Sequence, residues 1–179
     1  MSATALAAGW PVLAAIAILI RRESPGPAIF RQERAGRHMK PFTMYKFRTM
    51  RVGGDPFGAS PASPEDPRLT PVGRRLRESS LDELPQLWNV LRGDMSLVGP
   101  RPLYMGQARE FTERERRRLE VRPGLTGLAQ IQGRGEIPHK EKLEIDVQYV
   151  ERQSLGLDLA ILWRSFARLL VRKDVYQKW

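Results

Sequence analysis

Cysteine is absent from this 179-residue sequence, and histidine occurs only twice. The lack of cysteine excludes disulfides and thiolate metal sites. Because His38 and His139 lie far apart in the sequence, a zinc site is not expected either, and both histidines are predicted to be ordinary surface residues. The chain has the length and the apolar content of a single domain that buries a core without such crosslinks.

Acidic and aromatic residues are also scarce. Twenty acidic residues stand against 30 basic ones, which gives a formal net charge of +10. Such a charge attracts polyanions, whether nucleic acid, anionic lipid head groups or phosphorylated substrates. Nucleic-acid binding usually requires aromatic platforms or a reading helix, whereas aromatic residues make up 8% of this chain and are spread along it. We therefore expect lipid and phosphate partners and no nucleic acid.

The longest apolar segment runs from Ala3 to Ile20 with almost no polar residue, and Arg21 and Arg22 follow it. It would barely cross a bilayer, since a spanning helix needs about 20 apolar residues. Pro11 lies near its middle, where a proline removes a backbone hydrogen bond and its ring clashes with the preceding turn. We predict a membrane helix over residues 1–22 that breaks at Pro11 and leaves on the side where it entered. A straight signal anchor is the alternative.

The remaining residues, 23–179, are predicted to form a domain on the cytoplasmic face. Arg21, Arg22 and a strongly basic sequence follow the apolar segment, and basic residues next to a membrane segment are usually cytoplasmic. Turn residues at 24–27 precede two short strands over 28–30 and 42–47, which predict a small β-hairpin. Residues 53–67 contain almost nothing to bury and predict a loop, either a lid over a site or a surface excursion. Helical patterns dominate the rest, so the predicted fold class is α+β and mainly helical.

Candidate reactive residues follow a predicted helix over residues 71–79, which contains three arginines, Arg77 among them. The next four residues form a capping-box pattern, with Ser80 as N-cap and Glu83 three residues later. Acidic residues in a first helical turn commonly do no more than satisfy free amides and the helix dipole. Alternatively, Asp82 attacks phosphorus as a carboxylate nucleophile and Glu83 holds Mg²⁺, since nearby arginines and helix amides favour phosphate oxygens.

Two further candidates follow later in the chain. Residues 122–127 contain two glycines where backbone amides could approach a phosphate or a uridine, with Thr126 as a hydrogen-bond partner. A rigid turn explains the same segment equally well. Arg134 is a candidate phosphate ligand, although an ordinary surface role explains it as well.

The C-terminal region predicts an amphipathic helix with an apolar face opposite a basic one. The apolar positions are Leu159, Leu162, Trp163, Phe166 and Leu170, and the basic positions are Arg164, Arg168 and Arg172. Such a helix can lie in the membrane interface or pack on the core of the domain, and the two do not exclude each other.

The run from Leu81 to Pro102 closely resembles the bacterial sugar transferases, also called monotopic phosphoglycosyl transferases. The resemblance covers nearly the whole chain. Its other matching residues are Ser24–Pro27 with Phe30 and Gln32, Lys46–Met50, Arg122–Gly127, and Asp146 with Tyr149, Ser154 and Asp158. The family has a re-entrant N-terminal helix broken at a Ser-Pro pair, to which Trp10-Pro11 corresponds here, with the proline kept and the serine replaced.

The resemblance implies transfer of a sugar 1-phosphate from a UDP-sugar to a polyprenol phosphate in the bacterial inner membrane, with release of UMP. This would be the first step of surface glycoconjugate assembly, by a ping-pong mechanism, and the acceptor is expected to be undecaprenyl phosphate. Asp82 would form the covalent phosphosugar intermediate and Glu83 would bind Mg²⁺. The phosphate-binding surroundings implied are Lys46, Arg77 and Arg101, with amphipathic interfacial helices around the site.

Two classes without chemistry compete with this transferase. One is a membrane-anchored basic module that binds anionic lipid or nucleic acid, and the other is a basic scaffold protein. Both explain the charge and the apolar segment, but neither explains the run from Leu81 to Pro102. The sugar, the pathway and the oligomeric state are not predicted by the sequence.

Overall fold

The computed structural model describes residues 2–53, 60–61, 63–133 and 137–171, and the side chains of all of these except 2–8 and 169–171. This part of the chain is mainly helical and contains two small two-stranded sheets. The predicted α+β class is therefore confirmed. Much of the predicted 53–67 loop lies outside the described residues.

The helices and strands follow one another at short intervals. In chain order they are α1 Ser2–Glu23, β1 Ile29–Ala35, β2 Pro41–Phe47, α2 Pro71–Glu78, α3 Gln86–Arg92, β3 Ser96–Val98, α4 Met105–Arg109, α5 Glu113–Arg116, β4 Gly124–Thr126, α6 Leu128–Gly133, α7 His139–Arg152 and α8 Leu155–Val171. Single 3₁₀ turns occur at Arg37–Met39, Leu81–Glu83 and Arg117–Leu119. The helix predicted over residues 71–79 is confirmed as α2.

The helix α1 remains helical through Pro11. The predicted break into two separate helical limbs is therefore wrong, whereas a bend at Pro11 within one helix, and with it the re-entrant path, stays a prediction. A proline removes the hydrogen bond of its own nitrogen, and here the turns on either side continue without interruption. Among the described residues, no helix combines the length and the apolar content needed to cross a membrane.

The predicted hairpin is confirmed. Strands β1 and β2 pair antiparallel, in a register that sets Ile29 opposite Phe47. The first strand continues past the predicted end at Phe30 as far as Ala35. Exposed Arg31 and Glu33 lie on either side of buried Gln32, an alternation in which one face of the strand is solvated.

Arg48, directly after β2, forms hydrogen bonds that bind the C-terminal end of α1. Its buried guanidinium donates to the carbonyl oxygen of Ser24 at 2.8 Å and to that of Pro25 at 2.5 Å, with a longer contact of 3.4 Å to that of Ile20. The last carbonyls of a helix have no partner inside it, and a basic side chain stabilises that end. Ile20 and Phe47 pack beside this anchor in one apolar cluster. The end of α1 and the hairpin therefore form one unit.

Strands β3 and β4 form a short parallel pair, with Val98 opposite Thr126. Backbone packing accounts for the glycines of this segment. A Cβ on Gly124 would lie 2.1 Å from the nitrogen of Gly99, and a Cβ on Gly127 would lie 2.2 Å from the oxygen of Gly99. Any side chain at either position would force the two segments apart.

The helix α8 presents its predicted apolar face to solvent. Leu159, Trp163 and Phe166 are exposed by 58%, 72% and 58%, whereas Ile161 on the other side is completely buried. Core packing therefore does not account for these three side chains, whereas Leu162, which was also predicted on that face, packs against the buried cluster that contains Ile161. The predicted basic face is also altered, since Arg168 is half-buried and donates to the Gln130 carbonyl at 3.2 Å. The side chains at positions 170 and 172 lie outside the described residues.

Candidate active site

The adjacent carboxylates lie in the 3₁₀ turn Leu81–Glu83, between α2 and α3. The predicted capping box is wrong, because Ser80 has the left-handed conformation, with φ of 57°, and its side chain makes no capping bond. An N-cap residue normally has extended backbone angles that aim its oxygen at the free amides of the helix. Ser80 instead follows the end of α2 and turns the chain sharply into the two acidic residues.

Asp82 is buried, with only 6% of its surface exposed. Burial, together with the charge of Glu83, raises the pKa of Asp82 to about 6, against the opposing influence of Lys46, Arg77 and Arg101. The carboxylate thus lies within electrostatic range of three basic residues and is poorly solvated. A carboxylate that water does not stabilise is a better nucleophile than a fully solvated one.

Glu83 is the centre of the ion-pair network. Its Oε1 accepts from Lys46 Nζ at 3.1 Å and from Arg101 Nη2 at 2.8 Å. Burial alone would raise the pKa of Glu83, but Arg101 and Lys46 outweigh it and hold the pKa well below its usual range. Burial lowers the pKa of Lys46 in spite of the neighbouring Glu83 carboxylate. The network places two cations beside the position of Asp82.

Asn89 positions the strand that supplies Lys46. This side chain is completely buried in α3. It accepts from the backbone nitrogen of Tyr45 at 3.1 Å and donates to the carbonyl oxygen of Thr43 at 2.7 Å. It therefore extends the hydrogen bonding of β2 onto α3. The family run contains Asn89, but its spacing in the sequence did not indicate this role.

A buried ion pair supports the segment that holds Arg101. Arg118 and Asp146, whose side chains are 2% and 4% exposed, approach to 2.5 Å. The same guanidinium donates to the backbone oxygen of Arg101 at 2.7 Å. Burial raises the pKa of Asp146, although Arg118 opposes this effect. Sequence reasoning did not identify this pair and noted Asp146 only as part of the resemblance, since residues this far apart in sequence give no local signal.

The structure brings Lys46, Arg77, Asp82, Glu83 and Arg101 into one electrostatic neighbourhood. Other predicted site residues lie elsewhere. The Thr126 hydroxyl is hydrogen-bonded to the Ser165 hydroxyl of α8 at 2.6 Å and not to either carboxylate. Arg134 lies outside the described residues, so its predicted role stays a prediction.

The described residues contain no cluster of three or more acidic or histidine side chains that could enclose a metal ion. This donor set fits Mg²⁺ nonetheless, because Mg²⁺ is commonly held by one or two carboxylates together with substrate phosphates. Asp82 and Glu83 are the adjacent carboxylates, and both ion pairs of Glu83 use the same oxygen, Oε1. The site suits a cation that arrives with a phosphate substrate and does not suit one enclosed by the protein alone.

Comparison with known proteins gives a family and several relatives. The sequence profile of the family described as bacterial sugar transferase matches residues 1–172. A protein described as uncharacterized sugar transferase EpsL, from Bacillus subtilis (strain 168), is 49% identical over 166 residues, which are 93% of this chain and 81% of that protein. The profile match spans every predicted site residue, and both matches agree with the resemblance found in the Leu81–Pro102 run.

Two relatives have names that state a reaction. A UDP-glucose:undecaprenyl-phosphate glucose-1-phosphate transferase from Xanthomonas campestris pv. campestris is 43% identical over 189 residues, covering 98% of this chain and 38% of that protein. An undecaprenyl-phosphate galactose phosphotransferase from Salmonella typhimurium is 40% identical over 164 residues, covering 83% of this chain and 34% of that protein. The chain therefore spans little more than a third of the length of these two relatives.

Proposed function

Because this chain belongs to the bacterial sugar transferase family, we propose that it transfers a sugar 1-phosphate from a UDP-sugar to a polyprenol phosphate and releases UMP. One observation supports this reaction above all: a buried carboxylate, Asp82, lies beside Glu83, whose oxygen holds Lys46 and Arg101. Phosphoryl transfer requires this combination of an aligned nucleophile and nearby positive charge, because phosphate oxygens repel an incoming anion.

The reaction proceeds in two displacements at the same phosphorus. A carboxylate oxygen of Asp82 attacks the sugar-bearing phosphorus, and the bond from that phosphorus to the bridging oxygen breaks, so that UMP leaves with the bonding electron pair. A phosphate oxygen of the polyprenol phosphate then attacks the same phosphorus, and the Asp82 carboxylate leaves. The product is a polyprenyl diphosphosugar. Two steps allow one small site to serve a soluble and a lipid substrate in turn.

The basic residues hold the phosphates during both displacements. Lys46 and Arg101 neutralise the oxygens of the phosphate under attack, and Arg77 adds positive charge near Asp82. Glu83, with Asp82 beside it, would hold Mg²⁺, which when bound supplies further neutralisation of phosphate charge. Glu83 also orients both Lys46 and Arg101 through Oε1.

UMP release tests the function directly. We expect at least one UDP-sugar to give UMP when the protein is incubated with undecaprenyl phosphate and Mg²⁺. UDP-glucose and UDP-galactose are tried first because relatives are named for glucose and galactose transfer. Continued turnover should require the lipid acceptor, and a chelator should stop it until Mg²⁺ is restored. Absence of UMP with every UDP-sugar of a broad panel would overturn the proposal in favour of a non-catalytic basic module.

The reaction is placed at the cytoplasmic face of the bacterial inner membrane, where α1 and α8 contact lipid. Both helices expose large apolar side chains to solvent, the largest being Trp10 at 65% and Trp163 at 72%. Exposed tryptophans and neighbouring arginines are typical of helices at the head-group boundary. In this arrangement α1 enters and leaves the membrane on one side, and residues 23–179 remain on the cytoplasmic side.

The two ends of the chain are expected to lie on the same side of the membrane. Epitope tags fused before Met1 and after Trp179 should both be protected from a protease added outside spheroplasts and both be cleaved after permeabilisation. A tag on the periplasmic face is the control for protease access. Cleavage of the Met1 tag alone in intact spheroplasts would mean that α1 spans the bilayer, against this topology.

A further inference from the structure

Arg34 lies on the same face of the hairpin as Lys46. In the β1–β2 register, Phe30 is opposite Lys46 and Arg34 is opposite Phe42. Residues that are directly opposite project to the same face of a sheet, as do residues two and four positions apart along one strand. Arg34 therefore stands about 13 Å along this face from the Lys46 position, at about 3.3 Å per residue. The face that supplies the candidate lysine thus also supplies a guanidinium.

Contacts with three residues hold this guanidinium in place beside Arg101. It stacks over the Tyr104 ring with 3.6 Å to the centroid. Its Nη2 donates to Gln32 Oε1 at 2.5 Å, and its Nη1 approaches the Pro102 carbonyl oxygen at 3.5 Å. Stacking on an aromatic ring and a fixed amide partner leave an arginine little rotational freedom. Arg34 is therefore oriented before any ligand arrives.

No carboxylate of the described chain forms an ion pair with Arg34, in contrast to Arg101 and Arg118, which pair with Glu83 and Asp146. Its Nε is buried and has no hydrogen-bond partner. Burial lowers the pKa of Arg34 to about 10, an effect to which the charge of Arg101 adds and which Tyr104 opposes. A partly desolvated cation next to a second cation is unfavourable unless an anion joins them. The described residues supply no such anion.

We infer that Arg34 binds the phosphate of the departing nucleotide, so that the diphosphate of the UDP-sugar lies along this face between Arg34 and Lys46. This rests on the proposed function. Arg101, whose charge acts on both Arg34 and Lys46, contacts the centre of the diphosphate, while Asp82 attacks at the Lys46 end. An oriented guanidinium suits phosphate oxygens, which accept paired hydrogen bonds from its planar fork. Gln32 and Tyr104 act as positioning residues.

Binding of UMP tests Arg34 separately from turnover. By calorimetry with UMP and Mg²⁺, Arg34→Gln should weaken UMP binding about 10- to 100-fold, the usual loss for one charge-assisted contact. In the transfer assay the KM for UDP-sugar should rise by a similar factor, with kcat and the KM for undecaprenyl phosphate little changed. Arg31→Gln is the matched control, since Arg31 is exposed on the opposite face of β1 and loses the same charge.

A purely structural role for Arg34 would give different results. Such a role predicts a lower kcat, equal changes in the KM values of both substrates and unchanged UMP affinity. These results together would overturn the inference about Arg34 but would not contradict the proposed transferase function. If Arg34→Gln lowers the melting temperature, Arg34→Lys decides. Because it keeps the charge, Arg34→Lys should weaken UMP binding less than Arg34→Gln does, and equal losses in the two variants overturn the inference. If the parent protein neither binds UMP nor releases it from any UDP-sugar, the proposed function and the inference both fail.

Discussion

Asp82→Asn is expected to lower UMP release by at least about 10³-fold, because an amide cannot form the covalent bond to phosphorus. Side-chain size hardly changes, and the ion pairs of Glu83 with Lys46 and Arg101 remain possible. The measurement is UMP release with the UDP-sugar that the parent protein uses. Intact-protein mass spectrometry without acceptor should show a phosphosugar adduct on the parent and none on the variant.

The matched control for this change is Glu141→Gln, which also converts a carboxylate to an amide. Glu141 lies exposed in the first turn of α7, so its loss should leave UMP release within about twofold, as expected for a surface substitution. If Asp82→Asn retains parental activity, Asp82 is not the nucleophile. An adduct on the Asp82→Asn variant would lead to the same conclusion and would direct the search to another side chain.

Arg118→Met is expected to lower the free energy of unfolding by about 3–5 kcal/mol, because it leaves the buried Asp146 carboxylate without its partner. Both side chains are almost completely buried, at 2% and 4% exposure. The variant also loses the hydrogen bond to the backbone of Arg101, so the segment that presents Arg101 should loosen. Urea denaturation followed by circular dichroism measures the change.

Two comparisons make this prediction specific. Arg114→Met breaks an exposed ion pair with Glu144, whose side chains are 51% and 41% exposed, and should change stability far less. The double variant Arg118→Met with Asp146→Leu should recover much of the loss, since replacement of both partners removes the unpaired charge. If Arg118→Met and Arg114→Met lower the free energy of unfolding equally, the buried pair does not support the Arg101 segment.

Short-range patterns were the predictable part of the fold. The hairpin followed from two apolar runs around a polar turn, and α2 from Pro71 and its arginines, because these signals lie within a few residues of each other. Ser80 shows the limit of such signals. The capping-box pattern is local, but the end of α2 requires a sharp turn there, and tertiary context placed Ser80 in the left-handed region.

Long-range contacts were the unpredictable part. Three residues of β3 pair with three of β4 across an intervening segment that contains α4 and α5. Strands this short have no recognisable period. The sequence therefore suggested that Gly124 and Gly127 form a phosphate loop or a turn, whereas the structure shows that close backbone packing requires these glycines. Arg34 was overlooked for a related reason. In a basic sequence one arginine cannot be distinguished from the others, and only the structure shows that no carboxylate of the described residues pairs with it.

The catalytic assignment was predictable only through the family resemblance. Asp82 and Glu83 alone fit a helix cap better than a reactive pair, and Lys46 has no sequence feature that links it to Glu83. The structure supplies that link as a 3.1 Å ion pair. Burial of Asp82 and the supporting roles of Asn89 and Arg118 depend on packing, which a single sequence does not show.

The anchor at the end of α1 has a consequence for how the sequence can diverge. Arg48 binds the end of α1 through hydrogen bonds to main-chain oxygens, so these hydrogen bonds do not depend on the side chains of the helix. Substitution of exposed residues such as Ile18 and Leu19 should therefore leave these hydrogen bonds intact. The position of Lys46, two residues before Arg48, should not change with such substitutions. The exposed surface of α1 can thereby change without a change in the residues that position Lys46.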